Sequence, residues 1–125
     1  MSTELARAAE IVRRHALGMP GAYEDFPWDD SVAKVGKKIF AFLGAPEDAA
    51  LGLGVKLRES HDEALSMPFV TPMRYGLGRH GWVTVEIGAG DDAPVDLLCD
   101  WIDESYRLVA TKRLVAELDR RQGVR

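Results

Sequence analysis

With 125 residues, 46% hydrophobic and 29% charged, the chain has the composition of one ordinary globular domain and excludes a disordered or fibrous protein. Its 16 Lys and Arg against 20 Asp and Glu give a formal net charge of −4, the wrong sign for a protein that neutralises phosphates over its whole surface. No apolar run is long enough to span a membrane, and the opening MSTELARAAEIVRRH has no uninterrupted apolar core, so neither a span nor a secretory leader is expected and a cytoplasmic location is.

Ser2 or Thr3 can cap a first helix in which Leu5, Ala8, Ala9, Val12 and Ala16 recur at helical spacing, ended by Gly18 and Pro20. AYEDFPWDD, with Pro27 and its paired acids, reads as a loop that brings Phe26 and Trp28 toward the core. In SVAKVGKKIFAFLG, Gly36 and Lys37 form a tight turn between two runs, which predicts a β-hairpin. PEDAA is an expected loop and LGLGVKL a third strand. RESHDEAL reads as a short helix with Ser60 as N-cap and Glu63 completing a capping box.

FVTPMRY reads as a strand that Pro72 restricts to an edge or a bulge. In WVTVEIG, Val83, Val85 and Ile87 alternate with Trp82, Thr84 and Glu86, the clearest strand signal of the chain. Asp92 is a candidate cap with Pro94 in the first helical turn, and Val95, Leu98, Ile102 and Val109 mark a helix over 94–110. A last helix starts near Thr111, uses Leu114, Val115 and Leu118, and ends in the polar DRRQGVR, which is expected to fray. These elements predict a single α+β domain of two layers. An antiparallel sheet of about five strands is covered on one face by the N-terminal helix and the 94–110 helix.

GLGRHG, residues 76–81, spells GxGxxG, and Val83 extends it to GxGxxGxV. A dinucleotide fingerprint needs a helix after the glycines, whereas here a strand follows. A kinase loop needs a lysine on a strand that follows it, and none occurs between Arg79 and Lys112; HRD and DFG are missing as well. The glycines therefore predict a turn with positive φ at Gly76, Gly78 and Gly81 that exposes Arg79 and His80. His15, His61 and His80 lack metal-ligand spacing, and Cys99 sits in an apolar helical pattern among acids that disfavour a thiolate. No nucleophile, base and orienter can be named together, so no catalytic residue, metal or cofactor is expected.

The charge is unevenly spread: residues 31–43 hold Lys34, Lys37 and Lys38, and 69–85 hold Arg74 and Arg79, both without an acid. Five stretches in order resemble the MmcQ/YjbR-like family. They are MPGAYEDFPW, VAKVGKKIFAFLG, VKLRESHDEAL, MRYGLGRHGWVTVEI and LLCDWIDESYRLV, together covering about 17–110 and leaving 111–125 as a helix and polar tail. The resemblance implies a small two-layer protein with an antiparallel sheet and DNA binding through winged hairpins. The family's stretch of type Asn-Lys-x-His-Trp falls on Gly78, Arg79, His80, Gly81 and Trp82, with the asparagine missing, arginine for lysine and a glycine before the tryptophan. Lys56 matches a recurrent basic position, and Ser105 and Tyr106 in ESYRLV are expected to pack and cap, the Tyr106 hydroxyl being bonded.

Two functions are thereby expected. The first is a non-enzymatic nucleic-acid-binding module in which Lys37, Lys38, Arg74 and Arg79 meet phosphates, with Lys56 close by and His80 or Trp82 near the bases. The second is a protein- or small-ligand-binding module that uses the sheet face around Trp82, Arg74 and Lys56 without nucleic acid.

Overall fold

The computed structural model describes residues 3–45 and 49–123. Thr3–Leu17 form helix α1, which buries Leu5, Ala8, Val12 and Ala16 along one stripe. The proposed cap Ser2 lies outside the described residues, and Thr3 is already helical. The chain then enters strand β1 (Ala22–Asp25), where the sequence suggested a loop. The polar residues that looked loop-like are matched by neighbours: Glu24 pairs with Arg13 of α1 and with Ser31, and Asp25 pairs with Lys34 at 2.9 Å. Phe26 and Trp28 do not enter the core; they are 57% and 69% exposed, because their loop turns outward through Asp29 at φ 70.

Strands β2 (Ser31–Val35) and β3 (Lys38–Gly44) form the expected hairpin, closed by the turn at Gly36 and Lys37, with Val35 opposite Lys38. Between the pairs Ala33 with Ala41 and Lys34 with Ile39 the register slips, leaving Phe40 as the extra residue of a bulge. The bulge permits successive residues Phe40 and Ala41 both to be fully buried. Strand β4 (Leu51–Lys56) pairs with β3 and with β6 (Trp82–Ile87), and the short edge strand β5 (Val70–Pro72) completes the sheet. The order is β1-β2-β3-β4-β6-β5 with every pair antiparallel, so the sheet has six strands, β1 being the one not anticipated.

Alternation along β4 and β6 puts Leu51, Leu53, Val55, Val83, Val85 and Ile87 in the core with α1 and with helix α3 (Val95–Val109). Gly52, Gly54, Lys56, Trp82, Thr84 and Glu86 point the other way. Helix α4 (Lys112–Arg121) starts at Thr111, whose hydroxyl accepts from the Leu114 amide, and adds Leu118 to the core. Two caps differ from expectation: Pro94, not Asp92, occupies the N-cap position of α3, and the Ser60 side chain makes no cap bond to the short helix α2 (His61–Leu65). The Ser60 hydroxyl instead donates to Glu104 of α3 at 2.7 Å. The same carboxylate accepts from the amides of Arg58 at 2.7 Å and Ser60 at 3.2 Å. Part of the PEDAA loop and the last two residues of the tail lie outside the described residues.

Beyond the Ala41–Val55 pair, where the β3–β4 ladder ends, Ser105 of α3 bridges the two strands. Its hydroxyl donates to the Phe40 carbonyl at 2.6 Å and accepts from the Lys56 amide at 2.9 Å. Tyr106 beside it is fully buried, meets Phe40 edge to face at 5.2 Å, and donates its hydroxyl to the Pro20 carbonyl at 2.6 Å, as expected of a core tyrosine. Among the described residues no helix is long and apolar enough to cross a membrane.

Candidate nucleic-acid interface

The sheet register decides which basic residues meet. Lys56 at the end of β4 lies opposite Trp82 at the start of β6, and Pro72 at the end of β5 lies opposite Val83. The β2–β3 turn is at this same end, since Ala41 and Phe42, a few residues past the turn, pair with Val55 and Gly54 near the end of β4. Lys37, Lys38, Lys56, Arg74, Arg79, His80 and Trp82 are therefore gathered at one end of the sheet. They do not all share one face: Lys56 and Trp82 lie on the face away from the helices, whereas Lys38 sits opposite the core residue Val35.

Lys37, Lys38, Arg74, Arg79 and His80 are exposed, and Lys56 and Trp82 are half-buried. Among the described residues none of the five cations forms an ion pair; the pairs formed by arginine and lysine engage Arg13, Arg14, Lys34, Arg107 and Arg121. Lys34, counted from sequence with the basic hairpin, is thus committed to Asp25.

GLGRHG lies in the connection between β5 and β6. One 3-10 turn, Gly78–His80, runs directly into β6, and no α-helix follows. The amides that a phosphate cradle would present are already used: Gly78 donates to Met73 O at 3.1 Å, His80 to Leu77 O at 2.9 Å, and Gly81 to Gly78 O at 3.1 Å. Gly76 and Gly81 have the expected positive φ but Gly78 does not; a Cβ on Gly78 would stand 2.9 Å from Met73 O, so crowding excludes a side chain there. At Gly81, φ is +94 and a Cβ would stand 2.5 Å from Leu57 O, while the Leu57 amide donates to Gly81 O at 2.9 Å. That contact ties the tip of the connection to the exit of β4 and fixes where Trp82 begins.

Trp82 meets Phe42 of β3 edge to face at 5.4 Å, which places it against the first hairpin as expected. Beside this pair a groove of about 950 Å³ opens on the face away from the helices. Phe42 and Thr84 are among its lining residues, and so are Trp28 and Asp30 from the β1–β2 loop and Arg74 and Tyr75 from the β5–β6 connection. Gly54 makes room for it to form: a Cβ there would stand 2.5 Å from Met73 Cε and 3.0 Å from the Phe42 ring. Of the residues named from sequence, only Arg74 lines this groove; Trp28, Phe42 and Tyr75 were not singled out as site residues. The available signal was an aromatic set in each of two polar turns, in FPWDD and MRYGLG.

The remaining reactive groups are engaged elsewhere. Burial pushes the Cys99 thiol up, and the charges of Asp103, Asp96 and Asp100 push it further, so the thiolate is disfavoured. His15 Nε2 lies 2.7 Å from Asp103 Oδ1, joining α1 to α3. Among the described residues no three His, Cys, Asp or Glu side chains are grouped to hold a metal ion.

Among curated proteins none matches this chain. The model of the family YjbR matches residues 17–108, from the end of α1 through all six strands and nearly all of α3. The match takes in both lips of the groove and all the cations at the end of the sheet, and by it the chain belongs to the YjbR family.

Proposed function

We propose that this protein is a non-enzymatic binding module of the YjbR type that holds DNA weakly and without sequence preference at the cationic end of its sheet. One observation carries the reading: Lys37, Lys38, Arg74 and Arg79 are exposed at that end of the sheet and, among the described residues, no carboxylate pairs with them, while other cations are consumed in structural pairs. A local cluster of exposed cations can hold phosphates even on a chain whose formal net charge is −4. The acidic remainder repels a duplex, so the affinity belongs in the ordinary non-specific range of about 10⁻⁴ to 10⁻⁶ M.

A titration of mixed-sequence duplex DNA at several salt concentrations tests this. Four phosphate contacts give a slope of log affinity against log salt of about −3.6. Reversing the charge of Arg74 and Arg79 together lowers affinity equally for all sequences, because phosphate contacts position a protein without reading bases. A second reading, a protein- or small-ligand-binding module on the sheet face around Trp82 with no nucleic acid, is favoured by the groove beside Phe42. Absence of any DNA binding at about 50 mM salt, where the electrostatic hold is strong, selects that second reading.

A further inference from the structure

We propose that the groove on the uncovered sheet face takes unpaired bases, so that this module holds single-stranded DNA in preference to duplex; this rests on the DNA reading above and names its substrate class. The groove is lined by four aromatic rings, those of Trp28, Phe42, Phe69 and Tyr75. Aromatic faces bind bases by stacking, which is open to every base and to none that is still paired inside a duplex. A purely phosphate-reading surface has no use for such rings.

Charge runs along the groove in the same sense. Arg74 lies on the wall at the end of the sheet that carries Lys37, Lys56 and Arg79, whereas Asp30 and Glu86 line the opposite end, next to Trp28. A strand entering there keeps its phosphates at the cationic end and directs bases toward the carboxylates. Carboxylates repel phosphate but accept hydrogen bonds from the exocyclic amino groups of bases.

Both lips are also displayed at a cost to the backbone. Asp29 at φ 70 and Tyr75 at φ 62 are the only non-glycine residues with positive φ among the described residues, and they lie in the two loops that wall the groove. Tyr75 is 95% exposed, so its ring packs nothing, and glycine would suit its backbone better. Fold stability accounts for neither the ring nor its position, whereas a stacking surface accounts for both.

The test is fluorescence anisotropy of a labelled mixed-sequence oligonucleotide, single-stranded and then annealed to its complement, at about 50 mM salt. The expected result is tighter binding of the single strand, weakened about 5- to 150-fold by Trp28→Ala and by Tyr75→Ala, with duplex binding unchanged by either. Both side chains are largely exposed, so the variants keep their fold; Tyr75→Gly, which also relieves the left-handed backbone, serves if Tyr75→Ala does not. Equal binding of the two forms, or a single-strand affinity indifferent to both variants, overturns the base groove while the salt-dependent phosphate reading stands. Failure of both forms to bind overturns both and assigns the groove to a protein or small molecule.

Discussion

Replacing Glu104 by alanine removes one acceptor from three donors: the Arg58 amide, the Ser60 amide and the Ser60 hydroxyl. A net hydrogen bond to a charged group is worth about 1.5–3 kcal/mol. Arg58 is exposed and Ser60 half-buried, so water recovers part of each loss. A cost of about 2–4 kcal/mol follows, roughly half of the unscreened sum. Glu104→Gln keeps the shape and one acceptor oxygen and should cost about 1 kcal/mol.

Burial pushes the Glu104 carboxyl up, but the Ser60 hydroxyl and the amides of Arg58, Ser60 and Glu59 outweigh it, and the net direction is below the ordinary glutamate value. Its contribution is therefore fully present above the unfolded-state value of about 4.3 and is lost as pH falls through the lower folded-state one. Urea denaturation of wild type and Glu104→Ala at neutral pH and again below about pH 4 reads both effects, with the gap closing on acidification. A neutral-pH gap under about 0.5 kcal/mol, the range of an inert surface change, would refute the clamp.

Two further outcomes are expected. Trp82→Ala should destabilise by about 2–3 kcal/mol in the same assay, below the 3–5 of a fully buried aromatic because the ring is half-buried and meets Phe42 on its edge; an unchanged midpoint would mark Trp82 as a contact residue only. The hydrogen bond to Asp103 raises the His15 pKa against the opposing effect of burial, helped by the charges of Asp103 and Asp100 and by the Cys99 carbonyl. A raised folded-state value stabilises the protein below about pH 6.5 and ceases to as pH rises through it, so the stability gap to His15→Gln should be larger near pH 5.5 than near pH 8.5. A gap that is constant or grows with pH contradicts this.

Elements defined by neighbours in sequence were legible: the Gly36–Lys37 turn of the first hairpin, the alternation of β6, the edge role of Pro72 and the start of α4 near Thr111 all depend on a few consecutive residues. What was not legible depends on distant partners. Glu24 and Asp25 look like loop acids until Arg13 and Lys34 stand beside them. Ser60 fits a capping box locally, yet a carboxylate 44 residues away takes its hydroxyl. Lys37, Lys38, Arg74 and Arg79 could be named from charge alone, but the aromatic lips of the groove emerge only when the β1–β2 loop and the β5–β6 connection are folded over one sheet face.

The two outer strands bear on how molecules of this protein behave when crowded. An unpaired sheet edge is a template for a strand from another chain, and length and flatness make it worse. Here β5 is three residues long and ends in Pro72, which has no amide hydrogen to offer, while β1 is four residues long, carries Glu24 and Asp25 and is soon followed by Pro27. Sideways growth of the sheet into intermolecular ribbons is thereby blocked at both rims, and a protein with a sizeable uncovered face can keep it accessible without aggregating along its edges.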